Sequence, residues 1–246
     1  MGILTLLFHN TRKPEGLLGR WMVSSMNHAH AAIADWGMCH LPKTDPVEIA
    51  ELGCGGGRNV RQLLRRYPAA RITALDYSAI SVEKTKRVNR RDIQNGRCHV
   101  VQGDVARMPF EDERFDLATA FETVYFWPGP GESFREVYRI LKPGGVFLIV
   151  NESDGANPHD NKWLSVIDGL RIFNKEQLSA LLTEAGFSQV TVDHDLKAHR
   201  LCLLAVRSKP CFGATGSLPK ALCSAGAGSE PGQRGNSLGD LERSGF

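Results

Sequence analysis

Between Glu51 and Asp104 the chain gathers residue types that hold a ligand through backbone N–H groups and carboxylates. Gly53-Cys54-Gly55-Gly56-Gly57 sets four glycines in five positions, and glycine lets the backbone come close to a ligand while its N–H groups remain donors. A tight turn alone would account for such a run. Its position argues for more. The apolar stretch 47–54 reads as a strand, and the residues after the glycines read as a helix with Val60, Leu63, Leu64 and Tyr67 on one face. Open α/β sheets bind ligands at strand carboxyl ends, beside the point where strand order reverses. Asp76 closes the next strand pattern, 23 residues after Gly53, the placement at which a carboxylate accepts hydrogen bonds from ribose hydroxyls. Its other use, capping the following helix, is already served by Ser78. Together the two features suit an adenosine-bearing ligand.

A dinucleotide fingerprint would place its third glycine at position 58, where the chain has Arg58, and a glycine stands at position 57 instead. Glu51-Leu52-Gly53-Cys54-Gly55-Gly56-Gly57 thus resembles the acidic-x-Gly-x-Gly-x-Gly first motif of class I S-adenosylmethionine-dependent methyltransferases. The stretch from Gly103-Asp104-Val105 to Met108-Pro109-Phe110, followed by Phe115-Asp116, is similar to another segment of that family. So is Arg139-Ile140-Leu141-Lys142-Pro143-Gly144-Gly145. These ordered landmarks lie within about residues 47–207, and the resemblance is closest to the small-molecule branch that includes quinone-biosynthesis-like enzymes.

The resemblance implies S-adenosyl-L-methionine as cofactor, with S-adenosyl-L-homocysteine as product. Gly53, Gly55 and Gly57 would line its methionine and ribose portion, with Cys54 between them, and Asp76 would hold the ribose. Asp104 would accept from the adenine amino group, Val105 would offer a backbone N–H to the ring, and Tyr77 would pack against it. Glu51 would act from behind, through water on the amino end. Phe121 and Glu122 would flank the methionine part and open toward the acceptor.

These residues need a scaffold, and the pattern supplies one. Strand patterns at 71–77, 98–104, 115–121 and 146–152 alternate with helical stretches at about 79–95 and around Phe134, Val137, Tyr138 and Leu141. Such alternation calls for a parallel sheet with helices on both faces. Asn174 and Gln177 offer a capping-box start to a helix that Gly186 ends. The last two strand patterns, 188–195 and 200–207, are joined too closely for a helical crossover and should pair antiparallel. The expected fold is an α/β, Rossmann-like doubly wound sheet, mostly parallel with a C-terminal antiparallel strand. One domain spans 1–207, with an amphipathic N-terminal helix within about 15–40 stopped by Gly37 and an insert at about 153–173. These two segments are expected to cap the cofactor and form the substrate pocket, because a reactive sulfonium needs a closed site. From 208 to 246 the composition turns to Gly, Ser, Pro and Ala without an apolar period, which predicts a disordered tail.

Candidate substrate contacts are Tyr125 and Trp127, with His28 on the entrance helix and His159 in the insert. The aromatics serve equally as packing. His28, His30 and His159 are the residues that could act as a base if the acceptor arrives protonated, although a lone histidine is more often structural or solvated. No catalytic residue is assigned. Thirty Lys+Arg against 27 Asp+Glu leave a charge of +3, too small and dispersed to advertise nucleic acid or an anionic membrane. Six cysteines without a CxxC pair suggest neither a metal site nor a disulfide framework, and so a cytoplasmic protein with reduced thiols. The short apolar run at the start predicts no export and no membrane span. The expected partner is a small molecule. Two alternatives are an NAD-dependent oxidoreductase, which shares the sheet, the glycine turn and the acid after the second strand but has Arg58 and the terminal hairpin against it, and a non-catalytic S-adenosylmethionine-binding regulatory subunit.

Overall fold

A computed structural model describes residues 16, 19, 22, 23, 25, 29–158, 160–167 and 169–209. In chain order the elements are α1 (Ala31–Met38), β1 (Glu48–Leu52), α2 (Arg58–Arg66), β2 (Arg71–Asp76), α3 (Ala79–Val88), α4 (Arg90–Gln94), β3 (Cys98–Gln102), β4 (Phe115–Phe121), a 3-10 turn (Val124–Phe126), α5 (Pro130–Ile140), β5 (Leu141–Asn151), α6 (Asp160–Val166), α7 (Lys175–Glu184), β6 (Phe187–Asp195) and β7 (Arg200–Arg207). The strands form one sheet of order β3-β2-β1-β4-β5-β7-β6. Every pairing from β3 across to β5 is parallel, and β7 runs antiparallel to both β5 and β6. The sequence-based expectation of a mostly parallel Rossmann-like sheet closed by an antiparallel strand is met.

Successive strand residues point to opposite faces, and each face is covered. On one side Ile33, Val60, Leu63, Ile72, Leu117 and Val150 pack under α1, α2 and α3. On the other, Leu52, Leu75, Phe134, Phe147, Leu178 and Leu182 pack under α5 and α7. Burial on both faces is what makes the central strands read as continuous apolar runs. Among the described residues no helix is long and apolar enough to cross a membrane.

Local chemistry explains where elements end. The expected helix over 79–95 is broken at Asn89, whose buried Nδ2 donates to the carbonyls of Gly57 (3.1 Å) and Thr85 (3.0 Å). The capping box forms as expected: Asn174 Oδ1 accepts from the Gln177 N–H at 2.8 Å, and Gln177 Oε1 accepts from the Asn174 N–H at 3.0 Å. Two expectations need correction. Gly37 does not stop the first helix, which continues to Met38. A Cβ there would come within 2.4 Å of Val150 Cγ2, so Gly37 lets α1 lie close against β5. Residues 142–145 do not separate α5 from a strand beginning at Val146; they bulge within β5, because Leu141 already pairs with Phe115 and Val146 with Leu117.

Candidate active site

β1 and β4 are neighbours although β2 and β3 lie on the far side of β1, so strand order reverses between them. At that reversal, over the strand carboxyl ends, lies a cavity of about 320 Å³. Its floor is the glycine loop. The N–H groups of Gly53 and Cys54 both donate to the Leu75 carbonyl (2.8 and 3.0 Å), which folds the loop back over β2. Gly53 has φ +81°, and a Cβ would sit 2.1 Å from Thr123 Oγ1, so only glycine fits. A Cβ on Gly55 would meet nothing within 4 Å. From beneath, Thr85 Oγ1 donates to the Gly55 carbonyl (3.0 Å) and Asn89 to that of Gly57, leaving the upper surface of the loop to the cavity.

Of the residues expected at a cofactor, Gly53, Cys54, Gly55, Asp76, Tyr77, Asp104, Val105 and Phe121 all line this cavity. Asp76 is buried. Its Oδ2 accepts from the Gly55 N–H (2.8 Å) and its Oδ1 from the Ser78 N–H (2.9 Å). Burial raises its pKa above the ordinary aspartate value, and those two hydrogen bonds oppose the rise. Asp104 is solvent-facing and shaped by its own turn, Oδ1 accepting from the Ala106 N–H at 2.9 Å. Arg139 positions that segment from α5, donating to the carbonyls of Phe110 (2.7 Å) and Met108 (3.2 Å) and to Asp112 and Glu136. The conspicuous arginine ahead of the Lys-Pro-Gly-Gly stretch is therefore scaffolding for the Asp104 loop. The Cys54 thiol is buried, which with the nearby Asp76 charge pushes its pKa well up and keeps it a neutral thiol.

Several placements depart from the sequence reading. Gly57 is not at the cavity; with φ +79° it caps the N-terminus of α2, hemmed by Asn89 and Thr85. Glu51 lies fully behind the loop. It is the parallel partner of Thr119 on β4, so the two side chains share a face, and Thr119 Oγ1 donates to Glu51 Oε2. Desolvation pushes its pKa up to about 8, against hydrogen bonds from Thr119 and Asn59, while Oε1 is buried with no partner. Tyr125 is buried and off the cavity, its hydroxyl accepting from the Ser153 N–H at 3.0 Å. Trp127 does line the cavity, yet it also stacks on Phe147 (6.1 Å, 15°) and meets Phe134 edge-on. His28 and His159 lie outside the described residues, as does everything beyond Lys209.

The sequence reading did not anticipate Asn59, Ser81, Thr123 and Arg58 in the lining. Arg58 was weighed only as a missing glycine; its Nη2 donates to both carboxylate oxygens of Asp35 on α1, each at 2.7 Å. Val23, His30 and Ala34 bring the N-terminal helix to the cavity, whereas none of the described residues of 153–173 lines it.

Sheet order, glycine turn and paired acids define the class I methyltransferase fold, and residues 50–149 match the family model for the methyltransferase domain. That match covers 100 of the 246 residues, and the solved structures the chain resembles share its fold. Among curated relatives it is 28% identical over 159 residues to cycloartenol-C-24-methyltransferase 1 of Oryza sativa subsp. japonica, covering 61% of this chain and 46% of that one. It is 27% identical over 216 residues to malonyl-[acyl-carrier protein] O-methyltransferase of Pseudescherichia vulneris, covering 84% and 81%. The chain spans less than half the length of the first of these and of the sterol 24-C-methyltransferases it matches. Among solved structures, a methyltransferase in complex with the Haloferax volcanii Trm112 activator superposes with TM-score 0.68 at 20% identity, over 76% of this chain and 93% of that one.

Proposed function

We propose that the chain is an S-adenosylmethionine-dependent methyltransferase acting on a small-molecule acceptor. One observation carries this reading: Gly53, Gly55, Asp76 and Asp104, from three different strand ends, converge on a single cavity at the strand reversal. The donor set suits an adenosyl group. In this arrangement Asp76 accepts from the ribose hydroxyls, Asp104 from the adenine amino group, and Tyr77 and Val105 flank the ring. Gly53, Cys54 and Gly55 run beside the ribose and methionine, and Phe121 bounds the methionine end. Glu51 acts on the amino end from behind the loop, together with Asn59, which lines the cavity.

When bound, S-adenosylmethionine supplies a methyl carbon that its sulfonium already activates. The protein's own task is then to align nucleophile, carbon and sulfur and to exclude water. Phe121, Phe126 and Trp127 present apolar surface on that side, and α1 covers it through His30 and Ala34. The four described cysteines are free thiols, in keeping with a cytoplasmic protein.

Calorimetry with S-adenosylmethionine, S-adenosylhomocysteine and NAD⁺ tests the cofactor. Micromolar-range affinity for the first two is expected; tight NAD⁺ binding without them overturns the reading in favour of the oxidoreductase. Transfer of labelled methyl into a metabolite extract tests turnover, and binding without transfer to any metabolite would favour the regulatory subunit.

A further inference from the structure

Three ionisable side chains from distant parts of the chain meet on the acceptor side of the cavity. Glu122 follows β4, Glu152 follows β5, and His30 precedes α1. A ligand atom of each lies within 4.8 Å of the others, and among the described residues no other group of three His, Cys, Asp or Glu is this close. His30 and Glu122 line the cavity, and Glu122 is only 9% exposed. Glu122 also has φ +57°, a left-handed conformation that strains a non-glycine residue and is tolerated where a side chain must be aimed. The aim is fixed once more, since Glu122 Oε1 accepts from the Glu152 N–H.

We propose that His30, Glu122 and Glu152 form a binding site for one divalent transition-metal ion at the acceptor end of the cavity. Two ionised carboxylates brought together at a partly dry site repel unless a proton or a metal ion lies between them. The His30 Nε2 to Glu152 Oε1 separation of 3.5 Å is long for a hydrogen bond. It is, however, the spacing of two ligands held about 2.1 Å from one ion at tetrahedral angles. One imidazole with two carboxylates selects manganese, iron(II) or zinc in preference to a soft-ligand metal. Three protein ligands leave open coordination positions facing the cavity. There an acceptor hydroxyl binds the ion and loses its proton to solvent. Its oxygen then attacks the methyl carbon while the C–S bond breaks, the electron pair staying on sulfur. The ion site rests on this geometry, and only that last step rests on the proposed methyl donor.

Titration of the metal-stripped full-length chain with Mn²⁺ and with Zn²⁺, with and without S-adenosylhomocysteine, tests the site. The expected result is one ion per chain for at least one metal. Affinity should drop at least tenfold in both His30→Ala and Glu122→Gln while the melting temperature of each metal-free variant stays near the parent's. If Glu122→Gln does not fold, Glu152→Gln replaces it, since that side chain is half exposed. Absence of stoichiometric binding of either metal overturns the proposal, as does binding that survives the substitutions. An ion that binds where S-adenosylhomocysteine does not would sink the methyl-donor reading and leave the metal site standing.

Discussion

Asp76 holds the glycine loop from the neighbouring strand: its Oδ2 takes the Gly55 N–H at 2.8 Å, while Oδ1 takes the Ser78 N–H at 2.9 Å. One carboxylate thus joins the loop after β1 to the turn after β2, and its remaining lone pairs face the cavity. Removing it would deprive a bound ribose of a charged acceptor and free two N–H groups. Asp76→Ala should weaken S-adenosylhomocysteine binding by about 1–3 kcal/mol, roughly five- to 150-fold, with Asp76→Asn intermediate because it keeps one acceptor oxygen. Calorimetry gives the affinities, and unchanged binding in Asp76→Ala would reduce the residue to a loop brace.

Glu51 provides a pH signature. Its pKa stands at about 8 in the fold, chiefly through burial, against an ordinary glutamate value of about 4.3 in an unfolded chain. Between those two pH values the folded protein holds a proton that the unfolded chain has released. Stability contributed by this group is therefore present at acid pH and declines as pH rises toward 8. Glu51→Gln, permanently neutral and nearly isosteric, should flatten that part of the stability curve and melt no lower than the parent at pH 8. A steeper decline in the variant would contradict the assignment.

The parallel half of the sheet was legible because each strand there is a local apolar run between a helix and a turn, and Asp76 because its place follows from the strand before it. Asn174 and Gln177 could be read for the same reason, since a capping box is complete within four residues. What escaped notice depends on contacts between remote segments. Gly37 looks like a helix stop until β5 is seen against it. Gly57 counts as one more loop glycine until Thr85 and Asn89 are found crowding it. Tyr125 and Trp127 look alike in sequence, yet the 3-10 turn sends Tyr125 into the interior and Trp127 to the cavity wall. No spacing rule reveals the meeting of His30, Glu122 and Glu152, whose partners are set by which strand ends adjoin.

Asn89 should matter to binding without touching a ligand. Its side chain closes α3 and pins the Gly57 carbonyl, and it is 1% exposed. Asn89→Ala removes one of that buried carbonyl's two donors, leaving the Arg61 N–H at 3.2 Å, a loss on the order of 1 kcal/mol in stability. A loosened loop should also lower cofactor affinity several-fold, because ordering it would fall to the ligand. Chemical denaturation and calorimetry on one preparation separate the two effects. Full affinity at reduced stability would show that the loop holds its shape unaided.

The Arg58–Asp35 ion pair ties the glycine loop's helix to α1, and α1 covers the cavity. Both partners are partly exposed, Arg58 at 23% and Asp35 at 56% of the side chain, so the pair adds little to global stability, about 0–1 kcal/mol. Its effect should be local. Occupying the cavity presses a ligand between the loop and Val23, His30 and Ala34, and α1 should become slower to open. Hydrogen exchange with saturating S-adenosylhomocysteine is therefore expected to show added protection in the glycine loop, around Asp76 and Asp104, and across α1. Residues 160–167 and 169–173, which do not line the cavity, should change much less. Arg58→Ala should abolish most of the added protection in α1 while shifting the melting temperature little. If α1 exchanges as fast with ligand as without, the helix only shields a sheet face; if the 160–173 region is protected as strongly as α1, closure involves the insert as well.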